Sequence, residues 1–340
     1  MGDCKRCFMG SVKKTRLVCI SHKEDLDGLG SAALVRQATG AEPILVDYVG
    51  QMSKLKEISE DLSLKVLHIC DLGLSKKNEA EFVDVMATLR RRHVRVTYVD
   101  HHDIRPDIVT KLADMGVNVI HSTDECTAVQ VYHKYERRLP EGASFIAACA
   151  AITDYMDSNP LAAKLLQKYD RQFALISATV LTYNIVGHQK DTEYLLYLVD
   201  QLTELKFPHE IPNAYENAQL QVGYLADTMS RVRQGYKKMR NLAHMEMTDT
   251  GASGAVNFVL GFSGKPVGVA YKERIEQGAY AISIRGAPDL NVHLGRIVSS
   301  LAADFDGTGG GHAVACGALI PKKQMKAFLR TLNERLGESF

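Results

Sequence analysis

The chain lacks a large excess of charge of either sign. Its 41 lysine and arginine residues against 40 aspartate and glutamate residues give a formal net charge of +1 at pH 7 with histidine neutral. A protein that coats long nucleic acids through bulk charge usually contains a strongly basic domain. The balance therefore argues against that class of protein, although it leaves a local basic pocket open.

Long apolar runs and paired cysteines are also lacking. We expect neither a membrane-spanning helix nor a signal peptide, because no stretch of about 18 apolar residues occurs and the N-terminus has no apolar core. The seven cysteines are odd in number and scattered, which indicates reduced thiols in a cytoplasmic protein. Cys4 and Cys7 form one CxxC, which we interpret as incidental because a structural zinc site needs four ligands.

The order of the apolar runs predicts an α/β fold. In the first 125 residues, short β-branched runs alternate with segments of helical spacing, which is typical of a parallel sheet flanked by helices. The predicted strands cover residues 16–21, 43–49, 65–70, 94–99 and 117–120. Their nearly continuous apolar character favours strands that are buried on both faces.

The rest of the chain predicts a helical linker and a smaller α+β domain. Residues 128–240 are almost wholly helical in pattern, and Pro208 and Pro212 mark a hinge before a long helix over 214–241. Strand-like runs, including 255–262, then precede a helix at 292–303, a glycine-rich loop, a strand near 316–320 and a last helix. We predict a first domain over 1–205, a hinge and linker helix over 206–241, and a second, smaller domain over 242–340.

Carboxylates and imidazoles follow three of the predicted strands, and one more aspartate lies in the helical region. A single aspartate at such a place is more often a helix cap or a turn residue. The carboxyl ends of parallel strands share one edge of the sheet, however, and open α/β sheets bind ligands there. The residues concerned are His22, Asp25, Asp27, Asp71, Asp100, His101, His102 and Asp154.

So many carboxylates at one edge would repel one another and raise one another's pKa unless a cation neutralised them. Oxygen and imidazole ligands favour Mn²⁺ or Mg²⁺ over a soft metal site. The number of carboxylates exceeds what one ion needs, so we predict two divalent ions that share a bridging aspartate. Two such ions are a recurring solution for phosphoester cleavage.

The last domain contains a glycine cluster that could bind an anion. Backbone N–H groups of a loop at Gly309, Gly310 and Gly311, followed by His312, can approach a phosphate closely because glycine has no Cβ. Upstream, Ser283 and Arg285 share one strand face, and Arg285 could donate two hydrogen bonds to a phosphate. A flexible turn is the plain alternative for the glycines. The Walker A spacing is absent from the sequence, which disfavours a P-loop NTPase.

Taken in order, these motifs resemble the DHH phosphoesterase superfamily. The resemblance rests on Asp100-His101-His102, on the upstream run from His22 to Gly28, and on Asp71 between them. Gly309 to His312 with Ser283 and Arg285 resembles the DHH-associated C-terminal domain. The resemblance covers nearly the whole chain. Within the superfamily, the chain is similar to NrnA-like nanoRNases and RecJ-like phosphodiesterases.

The resemblance implies a role for each matching residue. His22 and Asp25 would bind the first metal, Asp27 and His101 the second, Asp71 would bridge them, and Asp154 would be the last ligand. His102 would face the substrate or the leaving group, and Asp100 would orient an imidazole. The implied substrate-binding residues are Ser283, Arg285, Gly309, Gly310, Gly311 and His312, and Thr127 would cap a helix.

Two departures concern the first motif. His22 and Asp25 are three residues apart, where many nanoRNase-like members have four, and Lys23 and Glu24 occupy positions where Asn and Pro are common. These differences bear on the substrate more than on the chemistry.

The implied activity is a two-metal hydrolysis of short single-stranded oligonucleotides or linear dinucleotides to mononucleotides, with Mn²⁺ favoured and Mg²⁺ as the alternative. Three other hypotheses about the function stay open: a polyphosphate or pyrophosphate hydrolase, a cyclic-dinucleotide phosphodiesterase, and a nucleotide-binding protein without turnover. No membrane partner is expected, and a homodimer is an open alternative.

Overall fold

The computed structural model describes residues 15–248 and 251–338. Cys4 and Cys7 lie outside the described residues. The chain forms two compact units that divide between Ala218 and Gln219, inside the segment predicted as a linker. The domain boundaries drawn from the sequence stay a prediction.

The first unit contains a five-stranded parallel sheet, which confirms the predicted α/β fold. Its strands are ordered β2-β1-β3-β4-β5, and every neighbouring pair is parallel. The strands are β1 (Arg16–His22), β2 (Glu42–Val46), β3 (Leu64–Cys70), β4 (Arg95–Asp100) and β5 (Asn118–His121). Since β1, β3 and β4 are adjacent, the residues that follow them meet at one edge.

Helices cover both faces of this sheet. Val18 and Ile20 of β1 pack with α2, α3 and α4 on one side, and Cys19 packs with α1, α5, α6, α8 and α9 on the other. The helices are α1 (Leu26–Thr39), α2 (Gln51–Glu60), α3 (Glu79–Arg91), α4 (Pro106–Asp114), α5 (Thr127–Tyr135), α6 (Ser144–Thr153), α7 (Pro160–Leu166), α8 (Arg171–Gly187) and α9 (Thr192–Thr203). The next helix, α10 (Ala214–Gly235), crosses the division between the two units. Burial on both faces explains why the strands read as continuous apolar runs.

The second unit contains a six-stranded mixed sheet ordered β10-β11-β9-β8-β7-β6. Only the β7–β8 pair is parallel among its described pairs. Helices α12 and α13 pack on one face, and α11 packs on the other. The elements are β6 (Lys237–Lys238), β7 (Leu242–Met247), α11 (Ala252–Ser263), β8 (Val267–Arg274), β9 (Ala279–Gly286), α12 (Leu294–Asp304), β10 (Thr308–Gly311), β11 (Ala315–Pro321) and α13 (Met325–Glu338).

Three local predictions are wrong. The run over 255–262 lies in α11 instead of a strand, and its buried residues Ala255, Val256 and Val259 follow a helical spacing. The long helix ends at Gly235, because the chain continues into β6 beside β7. The glycine cluster is not a loop, since Thr308–Gly311 pairs with β11 as an edge strand. Within the described ranges, no helix combines the length and the apolar character that crossing a membrane requires.

Candidate metal centre

The ends of β1, β3 and β4 bring the predicted metal ligands to one edge of the first sheet. The His101 Nε2 atom lies 3.3 Å from Asp154 Oδ2, 3.5 Å from Asp71 Oδ1 and 3.8 Å from Asp27 Oδ2. Three carboxylates from distant parts of the chain therefore surround one imidazole nitrogen. Asp27, Asp71 and His101 are buried, and their ligand atoms are spaced closely enough to share a metal ion.

His22 and Asp25 form the neighbouring pair. The His22 Nε2 atom lies 3.6 Å from Asp25 Oδ2, and Asp25 also caps α1 by accepting from the Gly28 N–H at 2.9 Å. Gly28 is required here, because a Cβ at that position would lie 2.2 Å from the His22 carbonyl oxygen. The close approach of α1 to the end of β1 places Asp25 beside His22.

The N-terminus of α5 holds Asp27. Its carboxylate accepts hydrogen bonds from the backbone N–H groups of Thr127 at 2.8 Å and Ala128 at 2.6 Å, donors that the first helical turn leaves unsatisfied. The prediction that Thr127 caps the helix is wrong, since Cys126 is at the cap position. Thr127 Oγ1 instead donates to Asp71 Oδ1 at 3.3 Å, so one residue contacts two candidate ligands.

Asp71 has the features expected of a metal ligand. It is buried with a left-handed backbone, at a φ of 55°, and such strain is concentrated at functional sites. Its Oδ2 atom has no hydrogen-bond partner among the described residues. A buried carboxylate oxygen without a donor is costly, and a divalent cation would satisfy it. The residues present therefore fit the predicted ions.

The electrostatics of the metal-free centre support the same conclusion. Burial, followed by the charges of Asp25, Asp27 and Asp154, raises the pKa of Asp71 well above its usual range. Burial and the charges of Asp27 and Asp25 do the same to the pKa of Asp154. Burial lowers the pKa of His101 although Asp27 opposes it, which favours the neutral imidazole that binds metals.

Asp100 orients His102. The His102 Nδ1 atom lies 2.9 Å from Asp100 Oδ1, and the Tyr98 hydroxyl donates to Asp100 Oδ2 at 3.3 Å. Burial alone would lower the pKa of His102, but the Asp100 carboxylate raises it above its ordinary value. Burial alone would likewise raise the pKa of Asp100, and His102 holds it below its ordinary value. Gly73 makes room for the ring, since a Cβ there would lie 2.8 Å from His102 Cγ.

Sequence reasoning missed two residues of this site. The Tyr48 hydroxyl lies 2.9 Å from His102 Nε2, and the Tyr48 ring packs on His22 with centroids 4.4 Å apart. Gln130 Nε2 donates to the backbone carbonyls of Asp100 at 3.3 Å, Ser122 at 2.9 Å and Glu125 at 2.8 Å. No motif of the sequence pointed to Tyr48. The one indirect sign was the unusual residue Lys23 in the first motif, because Lys23 pairs at 3.2 Å with Asp47, the residue before Tyr48.

The predicted anion-binding residues lie together in the second unit. Ser283 pairs with Gly317 across β9 and β11, and Gly317 pairs with Gly310 of β10, so the three share one face of the sheet. Arg285 is two residues further along the same face, half-buried like Ser283, while His312 follows β10 and is exposed. Some glycines of this unit are needed for packing. A Cβ at Gly295 of α12 would lie 1.9 Å from the Gly311 carbonyl oxygen.

Comparisons with known proteins agree with this architecture. A model of the N-terminal domain of the DHH family matches residues 16–156, and a model of the DHHA1 domain matches residues 236–338. The chain belongs to the DHH phosphoesterase superfamily. An uncharacterized protein of Methanocaldococcus jannaschii is 34% identical over 107 residues, which cover 30% of this chain and 23% of that protein.

Two of the solved structures that share the fold over 95% of the chain serve as examples. One is a pGpG-specific phosphodiesterase, PggH, from Vibrio cholerae, which is 12% identical, matches over 100% of its own length and has a TM-score of 0.56. The other is RecJ from Thermus thermophilus in complex with Mn²⁺, which is 15% identical, matches over 52% of its own length and has a TM-score of 0.62. At these identities the likeness is one of fold.

Proposed function

We propose that the chain is a metal-dependent phosphodiesterase that hydrolyses short oligonucleotides or linear dinucleotides to 5′-mononucleotides. The observation that carries the proposal is the convergence of Asp27, Asp71 and Asp154 on the Nε2 atom of His101. The fold similarity to a phosphodiesterase described as pGpG-specific supports a dinucleotide-sized substrate. The balanced net charge of +1 agrees with a small anionic substrate better than with long nucleic acid.

Two divalent ions would be held by the six ligands predicted from the sequence, with Asp71 between them. His22 and Asp25 would hold one ion, and Asp27, His101 and Asp154 would hold the other. Such ions acidify a water and neutralise charge on phosphoryl oxygens. Structures of RecJ in complex with Mn²⁺ and with Mg²⁺ support a divalent ion of this kind, Mn²⁺ or Mg²⁺.

The protein's own contribution at the leaving group is His102. The Asp100 carboxylate fixes the ring through Nδ1 and favours its protonated form. Nε2, which lies 2.9 Å from the Tyr48 hydroxyl, would exchange that contact for a phosphate or a departing oxygen when substrate binds. This arrangement is that of a general acid held by a carboxylate. Asp100 acts through His102 and is a positioning residue.

In the second unit, a separate group of residues is suited to bind a phosphate. Arg285 and Ser283 lie on one sheet face beside the small residues Gly310 and Gly317, which let a phosphate approach the backbone. A guanidinium can grip a terminal phosphate with two N–H groups.

We further propose a reducing, cytoplasmic setting, because the five described cysteines are all buried and none forms a disulfide.

The experiment is a product time course on end-labelled oligonucleotides of two to twenty residues with Mn²⁺ or Mg²⁺. We expect mononucleotide release that is fastest for the shortest substrates and falls by about a hundredfold or more in Asp71→Asn. Parallel assays with polyphosphate and a cyclic dinucleotide test the alternative reactions. Tight nucleotide binding without turnover would favour the non-enzymatic reading, and equal turnover by Asp71→Asn would overturn the proposal.

A further inference from the structure

We propose that Tyr48 is a stacking platform for a nucleobase beside the phosphoesterase centre, which adds a base subsite to the first unit. The inference rests on the proposed function, since it assigns the base of a nucleotide whose phosphate lies at His102. It concerns a residue that no motif of the sequence singled out. Its ligand is the aromatic ring of any nucleobase.

Tyr48 is anchored inside the site from two directions. Its hydroxyl lies 2.9 Å from His102 Nε2, and one side of its ring packs against His22 with a centroid distance of 4.4 Å and an angle of 35°. These two imidazoles belong to the first and last of the three strand ends that form the centre. The ring is therefore next to the position where the phosphate would bind.

The turn that carries Tyr48 is also fixed. Asp47 Oδ1 accepts from the Gly50 N–H at 2.7 Å, while Asp47 Oδ2 lies 3.2 Å from Lys23 Nζ. The Lys23 N–H donates in turn to the Val46 carbonyl at 2.9 Å. Lys23 therefore ties the turn between β2 and α2 to the segment that contains the first metal ligands, and this gives the departure at position 23 a physical role.

Despite these contacts, Tyr48 is 41% exposed. A tyrosine that is held in place yet partly exposed is already ordered for binding, so little conformational entropy is lost when a flat ligand stacks on it. Stacking of a base on an aromatic side chain tolerates any base sequence, because every base has a π-face. This suits an enzyme that degrades short oligonucleotides of mixed sequence.

A purely structural role is the competing explanation. Tyr48 could serve only to orient His102, in which case its ring would not contact the substrate. The two roles differ in one measurable respect. Stacking discriminates between a substrate with a base and the same substrate without it, whereas orientation of His102 affects both equally.

The experiment compares kcat/KM of the full chain with Mn²⁺ on a dinucleotide and on the same dinucleotide with one abasic sugar. For the native protein we expect the base to improve kcat/KM by about 5- to 150-fold, the range that one stacked base supplies. Tyr48→Phe keeps the ring and should keep this ratio, although loss of the hydroxyl lowers both rates. Tyr48→Leu should reduce the ratio to about one. Val49→Ala, at a position 90% exposed in the same turn, serves as the matched control and should keep it.

An equal loss on both substrates in Tyr48→Leu, with the base preference intact, would overturn the platform. A binding measurement separates this failure from failure of the proposed function. If neither the native protein nor any variant hydrolyses either dinucleotide, calorimetry with AMP and with ribose 5-phosphate still measures how much the base contributes to binding affinity. We expect tighter binding of AMP to the native chain and no difference in Tyr48→Leu. Equal affinities for the native chain would reject the subsite.

Discussion

At the scale of single residues, two non-glycine residues beside the candidate centre have a left-handed backbone. Asp71 has a φ of 55° and Tyr155, directly after Asp154, has a φ of 59°. Such residues cost of order 1–3 kcal/mol each. For Asp71, the strain accompanies a buried carboxylate that lies 3.5 Å from the candidate ligand His101. The strained backbone of Tyr155 brings no comparable side-chain contact, because the Tyr155 side chain is 82% exposed.

Tyr155→Gly should therefore stabilise the protein. Tyr155 follows the end of α6, where the Met156 N–H bonds to the Ala151 carbonyl at 2.8 Å, and this pattern favours glycine. Glycine removes the strain energy of the folded state but also makes the unfolded chain more flexible, which costs conformational entropy on folding. The difference between the two effects should raise the free energy of unfolding by roughly 0.5–1 kcal/mol. Urea unfolding followed by circular dichroism measures it. Tyr155→Ala, which keeps the left-handed strain, is the control and should not stabilise; a glycine variant less stable than the alanine variant would contradict the argument.

The Asp100→Asn variant tests the pair formed by Asp100 and His102. Asp100 is the group that raises the pKa of His102 against the effect of burial. Without its charge, the charges of Asp25 and Asp27 oppose burial less effectively, so the pKa of His102 should fall from its value in the native protein. Proton NMR titration of the His102 ring in metal-free protein measures this. Asp107→Asn removes a carboxylate that pairs with Arg105 on the surface and should leave the titration unchanged. A raised His102 pKa in Asp100→Asn would refute the assignment.

The sequence indicates candidate ligands more readily than the residues that hold them in place. An aspartate or histidine at the end of a buried strand is visible as a pattern, because parallel strands place their carboxyl ends at one edge. The contact from the Thr127 N–H to Asp27 joins residues 100 positions apart. That contact depends on how α5 packs on α1, which no local pattern records. The same holds for Tyr48, whose partner His102 is 54 positions away.

At the scale of elements, continuous β-branched runs predicted the first sheet well, while short apolar runs misled in the second unit. The 255–262 run contains residues that a strand would also bury, so only the neighbours in space decide between strand and helix. The glycine cluster became β10 for a similar reason. Its pairing with β11 depends on a strand that comes later in the chain and on α12, which packs against it.

The contact between α12 and β10 gives an element-scale prediction. Gly295→Ala should destabilise the protein by roughly 1–3 kcal/mol or more, because the new Cβ would lie 1.9 Å from the Gly311 carbonyl oxygen and α12 would have to move. Gly261→Ala in α11 is the matched control, since nothing lies within 4 Å of its Cβ, and better helix propensity should stabilise it slightly. Equal stability of the two variants in urea unfolding would show that α12 does not pack closely on β10.

At the scale of the whole molecule, the candidate centre makes folding, metal binding and pH interdependent. Asp71 and Asp154 have raised pKa values in the metal-free fold, so their protonated forms are favoured there. The stability that these two groups contribute is complete below the ordinary aspartate pKa of about 4. It is lost as pH rises through their raised values, because ionisation then puts like charges together in a buried site.

Divalent ions should reverse this dependence. Metal binding requires the carboxylates in their charged form, so Mn²⁺ stabilises the fold more strongly as pH rises, and each site adds about 2.7 kcal/mol at a metal concentration one hundred times its Kd. Calorimetric unfolding at pH 5 and pH 7.5, with and without Mn²⁺, should therefore show a larger metal-induced rise in Tm at the higher pH. Taking the difference between the two metal states removes contributions of opposite sign, such as that of Asp100. Asp71→Asn removes one charge from the cluster, so its metal-free form should lose less stability over this pH interval and its response to Mn²⁺ should be smaller. A metal-induced shift that is the same at both pH values would mean that these carboxylates do not bind the ion.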